Sequence, residues 1–424
     1  MKRFDQMSIE ERNELYTELL SEYSKYCKAG LSLDLSRGKP NSTQLDISTE
    51  LASIGLERDE CFSSAGFDCR NYGIVDGLPE MKKFFAEVFG LCSDDIIVGG
   101  NSSLQLMHDT LIRAMLFGVV GSERPWSQEK GLKWLCITPG YDRHFKITEA
   151  LGFELISVPM TATGPDMDIV EKLVLDPKVK GIWCVPKYSN PTGNTYSDET
   201  VRRLASMKCA SPDFRIMWDN AYGIHDIDEC GDELSDIFAY AEQYGNKDRV
   251  LYFASTSKIT FPGGGVAIMA ASEANRKQML PLIGISTIGY DKLNQLRHLK
   301  YFKTAENMKK HMIKLGRTLK NKFDITLENL SSLTGTGVAS WSRPRGGYFI
   351  SLEVLPGCAK RVFELMKGAG VVLTAAGATH PYGVDPDDKT LRIAPTYPTD
   401  SDLDTATQIL ALTVKLAALE KLGI

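Results

Sequence analysis

Lys258 closes the stretch Val250-Leu251-Tyr252-Phe253-Ala254-Ser255-Thr256-Ser257 and precedes Phe261-Pro262-Gly263-Gly264-Gly265. A lysine amine loses its proton readily when desolvated, and can then attack a carbonyl carbon or carry a proton. Three other loops share this placement, directly after a short apolar run. Gly99-Gly100-Asn101-Ser102-Ser103 follows Ile96-Ile97-Val98 and leads into a helical pattern, so backbone N–H groups and two hydroxyls could receive a phosphate. Pro186-Lys187-Tyr188-Ser189-Asn190-Pro191-Thr192-Gly193 is a tight turn that could aim the Asn190 amide at a ligand, and Asp219 ends Arg215-Ile216-Met217-Trp218 with Tyr222 three residues on. Taken singly, each loop is also what a capped helix, a plain turn or a solvated lysine provides. Their order and spacing as a set is what carries chemistry.

The elements that must position these loops are legible as an alternation. Apolar runs at 96–98, 133–138, 153–158, 181–185, 215–218, 250–253 and 266–270 interleave with helical segments. Such alternation predicts an α/β domain with a mainly parallel sheet, in which ligands sit beyond the carboxyl ends of the strands. Ser8-Ile9-Glu10-Glu11 is a capping-box pattern that opens an amphipathic helix, with Gly30 as its stop. After a turn-rich extended stretch at 33–41 comes a helix from Pro79 through Phe89. Residues 291–323 read as one long charged helical connector. The remainder mixes strands at 347–354, 371–374 and 391–394 with helices at 360–369 and 401–422. The division expected is a large α/β domain over 50–300 and a smaller α+β domain made of 1–49 and 301–424.

Bulk properties narrow the function. At 424 residues the chain has room for a large core, and a formal charge of -5 offers no electrostatic footprint for nucleic acid. Nine scattered cysteines form no CxxC pair, which reads as reduced thiols of a cytoplasmic protein with no metal site. The first twenty residues contain no apolar signal region, and no stretch has the length of a membrane span.

With these loops on the page, the chain resembles the aminotransferase class I/II family of fold-type I pyridoxal-phosphate enzymes, and within it the aspartate-aminotransferase-like subgroup. The resemblance runs from Ser36-Arg37-Gly38-Lys39-Pro40 and Tyr72-Gly73-Ile74-Val75-Asp76-Gly77-Leu78-Pro79 to Leu391-Arg392-Ile393-Ala394. It implies that Lys258 carries pyridoxal 5'-phosphate as a Schiff base and shuttles the proton at the substrate Cα. It implies that Asp219 pairs with the pyridine nitrogen, that Tyr222 and Asn190 bond the phenolic oxygen, and that Tyr141 stacks on the ring. Ser102, Ser103 and Ser255 match phosphate contacts, and Tyr72 matches a tyrosine that reaches the cofactor of the neighbouring subunit in a homodimer. Arg392 matches the arginine for the substrate α-carboxylate, with Gly38 and Asn190 beside it. One position departs: Val266 stands where the family places a phosphate-binding arginine.

The resemblance implies transamination between an α-amino acid, aspartate or glutamate, and a 2-oxo acid such as 2-oxoglutarate. Arg37, Lys39, Arg143, His144 and Arg345 are the candidate cations for a second carboxylate. Two other readings stay open: a carbon-sulfur lyase with the same cofactor, ending in β-elimination, and a ligand-sensing module like that of certain transcription regulators. About thirty residues before the first motif are too few for a winged-helix DNA-binding domain. A nicotinamide site is disfavoured because no G-x-G-x-x-G joins a strand to a helix.

Overall fold

Strands buried on both faces need apolar residues at every position, and most of the runs above have them. In the computed structural model, which describes residues 2–228 and 230–424, thirteen strands form. In chain order they are β1 (Leu33–Asp34), β2 (Ile96–Val98), β3 (Lys133–Thr138), β4 (Glu154–Thr161), β5 (Gly164–Pro165) and β6 (Val179–Cys184). Then follow β7 (Arg215–Asp219), β8 (Val250–Ser255), β9 (Ala267–Ala271), β10 (Ala339–Trp341), β11 (Ile350–Val354), β12 (Val371–Val372) and β13 (Thr390–Ile393).

The large sheet has eight strands in the order β2-β9-β8-β7-β6-β3-β4-β5. The run from β4 through β8 is parallel, and β9 is antiparallel to both of its neighbours, β2 and β8. All seven expected strands are present in this mainly parallel α/β sheet, joined by the short antiparallel β5. Alternate residues face opposite ways. Leu135 and Ile137 of β3, Trp218 of β7 and Ala254 of β8 enter one apolar core, while Trp134, Cys136, Met217 and Phe253 enter the other.

The parallel strands end on one edge, so the loops that follow β6, β7 and β8 converge there. The first and last parts of the chain meet beside it. β1 pairs with β12, and β10, β11 and β13 form a three-stranded antiparallel sheet in which Arg392 lies opposite Ser351. Helix Ile9–Lys28 begins with the expected capping box: Ser8 Oγ accepts from Glu11 N–H at 3.1 Å, and Glu11 accepts from Ser8 N–H at 2.7 Å. It lies on the C-terminal helix Asp400–Leu422, where the Tyr16 hydroxyl donates to Glu420 at 3.0 Å.

The expected single connector over 291–323 is instead two helices, Lys292–Phe302 and Ala305–Ser331. Lys303 takes a positive φ of 63°, and Thr304 caps the second helix by accepting from Asn307 N–H. A threonine two residues past a helix end competes for the backbone and starts a new one. None of the helices among the described residues is long and apolar enough to cross a membrane.

Candidate active site

A cavity of about 590 Å³ opens where the strand ends meet the C-terminal part of the chain. Ser102, Ser103, Tyr141, Asn190, Asp219, Tyr222, Ser255, Lys258, Gly38 and Arg392 all line it. Tyr72 lies elsewhere, 77% exposed, and of the candidate cations His144 and Arg345 are also absent from the lining.

Lys258 follows β8 by three residues, and its Nζ sits 4.9 Å from the Tyr222 ring centre and 5.8 Å from that of Tyr348. Burial pushes its amine below the ordinary lysine range, while the nearby Asp219 carboxylate acts in the opposite direction. The Lys258 carbonyl accepts from the Tyr348 hydroxyl at 3.4 Å and lies 3.4 Å from His225 Nε2. His225 is buried, and desolvation, with the charge of Lys258 adding, brings its pKa down to about 3. A neutral imidazole there tethers the lysine loop without adding charge.

Asp219, the last residue of β7, is 4% exposed. Its Oδ2 is 3.0 Å from His144 Nε2, and its Oδ1 is buried with no hydrogen-bond partner. A buried carboxylate oxygen left bare is costly unless something fills the place. His144 is held flat against Trp183, with ring centres 4.3 Å apart and planes within 10°. The expectation of His144 as a cation for a second substrate carboxylate is therefore corrected: it is 1% exposed and spent on Asp219. Arg345 is corrected too, because it turns away from the cavity to pair with Asp232 at 3.2 Å.

Arg392 projects from β13 while its neighbours Leu391 and Ile393 are buried in the core. Its Nη1 donates to Asp142 at 2.9 Å and to Asn190 Oδ1 at 3.4 Å, and its Nε and Nη2 both reach Thr374 Oγ1. With the carbonyl oxygen of Asn190 so occupied, its NH2 group faces the other way. The Phe349 ring lies 5.0 Å from the guanidinium carbon. A Cβ on Gly38 would come within 2.1 Å of that ring, so any larger residue here would have to displace Phe349. Neither Asp142 nor Thr374 stood out in the sequence, since a helix-start aspartate and a loop threonine carry no local signal.

Of the cations that line the cavity, Lys258 alone is next in sequence to its serines, Ser102, Ser103, Ser255 and Ser257. Helix Ser103–Phe117 starts without a side-chain cap on its N-terminus, leaving its first N–H groups free to meet an anion. Ser255 Oγ donates to Ser257 Oγ at 3.0 Å, and Ser257 in turn donates to the Asn101 carbonyl at 3.0 Å. Val266, where an arginine was expected, is buried, and its N–H donates to Thr256 Oγ1 at 2.9 Å. Arg37, Lys39 and Arg143 also line the cavity; Lys39 Nζ lies 3.8 Å from the Tyr397 ring centre, and Arg37 Nε is 4.0 Å from Asp34 Oδ2.

The residues therefore fit pyridoxal phosphate: a bare buried carboxylate oxygen, a desolvated lysine, and an uncapped helix start open onto one cavity. Comparison with known proteins agrees. The aspartate amino-transferase family profile matches residues 7–423. The chain belongs to the aspartate aminotransferase family. It is 46% identical over 407 residues to the aspartate aminotransferase of Corynebacterium glutamicum, covering 96% of this chain and 94% of that one. The crystal structure of an aspartate transaminase from Corynebacterium glutamicum superposes with a TM-score of 0.96 at 43% identity, over 99% of both chains. The α-aminoadipate aminotransferase of Thermus thermophilus, solved with N-(5'-phosphopyridoxyl)-L-leucine, shares the fold at a TM-score of 0.74 and 20% identity, over 96% of both chains. As a member of the aspartate aminotransferase family, this chain is a pyridoxal-phosphate-dependent transaminase.

Proposed function

We propose that the enzyme moves the amino group of aspartate or glutamate to a 2-oxo acid such as 2-oxoglutarate, with Lys258 as the cofactor-bearing base. The observation that carries this reading is the shared cavity: Lys258, the bare oxygen of Asp219 and the guanidinium of Arg392 open on the same space. Pyridoxal phosphate, when bound, supplies the electron sink that makes the substrate Cα–H acidic.

The chain's own residues do the rest. Asp219, oriented by His144, would hold a proton on the ring nitrogen. Tyr222 and Asn190 set the proton affinity beside the phenolic oxygen, and Tyr141 covers the ring face. Burial, with Asp219 adding, pushes the Tyr141 phenol up to about 12, so it stays neutral there. Ser102, Ser103 and Ser255 bind the phosphate with the helix N–H groups. Arg392 clamps the α-carboxylate so that the Cα–H bond faces the Lys258 amine, which takes and returns the proton. A second carboxylate would meet Arg37, Lys39 or Arg143, the other cations that line the cavity.

The reading extends to a cytoplasmic homodimer, in which Tyr72 reaches the cofactor of the neighbouring subunit. It also places the larger domain at 50–300 and the smaller at 1–49 with 301–424. An absorbance spectrum of the purified protein with and without aspartate, together with product analysis, tests the function. A cofactor band that responds to aspartate, with glutamate formed from 2-oxoglutarate, is expected. Failure to form glutamate from 2-oxoglutarate, with a β-thio amino acid such as cystathionine instead cleaved to a thiol, pyruvate and ammonia, would reject transamination, and turnover by Lys258→Ala would reject the assigned base.

A further inference from the structure

We propose that Asp142 is a placeholder carboxylate, which occupies the Arg392 subsite between turnovers and yields it to the α-carboxylate of the substrate. This rests on the reading of Arg392 given above. A guanidinium has five N–H donors, and a bidentate carboxylate needs two of them side by side. On Arg392, Nη1 is directed at Asp142 and Asn190, while Nε and one Nη2 hydrogen are directed at Thr374. One Nη2 hydrogen remains without an acceptor among the described residues. A two-point clamp thus requires an existing partner to leave.

Asp142 is the partner able to do so. Asn190 is 4% exposed, and the Thr374 hydroxyl is tied to the Ser36 carbonyl at 2.9 Å. The Asp142 side chain is 30% exposed and lines the cavity, whereas that of Arg392 is 9% exposed. Asp142 is also the first residue of helix Asp142–Ala150, whose N-cap Tyr141 makes no side-chain capping bond. A displaced carboxylate can therefore turn onto the open, positive end of its own helix. Exchanging one carboxylate for another never leaves the enclosed guanidinium unpaired, which would be costly. Arg392 stays aimed while the site is empty, and the arriving ligand must compete.

Competition predicts that removing the charge at position 142 tightens carboxylate binding. Titration of the purified holoenzyme with succinate, an unreactive dicarboxylate, measures this by calorimetry. Asp142→Asn and Asp142→Ala should each bind succinate roughly tenfold more tightly than wild type. KM for the amino acid should fall alongside, with kcat lowered by slower product release. A merely structural part for Asp142 would instead weaken binding. Unchanged or weaker succinate binding in both variants, with melting temperatures near wild type, overturns the proposal. Arg392→Ala separates the two levels of the argument. If it binds succinate as wild type does, the assignment of Arg392 itself fails; if it loses binding while Asp142→Asn shows no gain, the placeholder alone is refuted.

Discussion

Asp219→Asn removes one charge from the site while keeping its shape, and its effect can be worked from the geometry. The carboxylate is 4% exposed, one oxygen is held by His144 at 3.0 Å, and the other is bare. If the bare oxygen faces a protonated ring nitrogen, the two charges lie about 4 Å apart. At an effective dielectric of about 20, their interaction is worth about 4 kcal/mol. An amide oxygen can still accept a neutral hydrogen bond, worth about 1 kcal/mol. The difference of about 3 kcal/mol corresponds to roughly a 150-fold slower proton abstraction. Rapid mixing of the loaded variant with aspartate, followed through the cofactor absorbance, measures that step in a single turnover. Affinity for aspartate should change little, because on the proposed reading Asp219 would face the ring and not the substrate. Asp219→Glu, which restores the charge, should recover part of the rate. A rate within about threefold of wild type at full cofactor loading would refute the pairing of Asp219 with the ring.

Three further outcomes are expected. If the phosphate is held by hydroxyls and helix N–H groups as proposed, Ser103→Ala and Ser255→Ala should each weaken cofactor binding by roughly tenfold or more, read by equilibrium dialysis of the apoenzyme; no loss in either would reject the placement of the phosphate. Lys258 in the apoenzyme has a pKa below its unfolded value, so the unfolded chain binds more protons between the two. Stability should therefore rise with pH from the lowered value toward about 10.5, and Lys258→Met should flatten that slope in denaturant titrations. Burial by itself would raise the Asp213 carboxyl, but hydrogen bonds from Ser211, Lys180, Ser122 and Trp126 bring it down to about 2. Its contribution is present above the ordinary carboxylate value and fades as pH falls toward about 2, and Asp213→Ala should cost about 3 kcal/mol at neutral pH by leaving buried Lys180 with Glu129 as its one carboxylate partner.

Much of the fold was legible because its signals are local. Apolar runs bounded by turns marked seven strands of the large sheet, and Ser8 with Glu11 marked a helix start that forms as read. The break at Lys303 was missed because a charged amphipathic stretch looks alike whether or not one residue adopts a positive φ. The direction of β9 was invisible for a related reason: Ala267–Ala271 is buried throughout, and an all-apolar strand reads the same in either orientation.

The same distinction governs the site. Lys258, Asp219, Asn190 and Ser102 could be picked out of the sequence because each follows an apolar run, and a parallel sheet brings such loops to one edge. The missing arginine at Val266 was equally plain. What each group faces depended on contacts between distant segments, which no local pattern encodes. Arg392 and Asp142 are 250 residues apart and meet at 2.9 Å, and His144 reaches Asp219 across 75 residues. The sequence alone determined which residues could do chemistry, because residue type and strand-end position are local properties. Only the tertiary structure decided their partners, because burial and charge pairing arise when separate elements close around the same cavity.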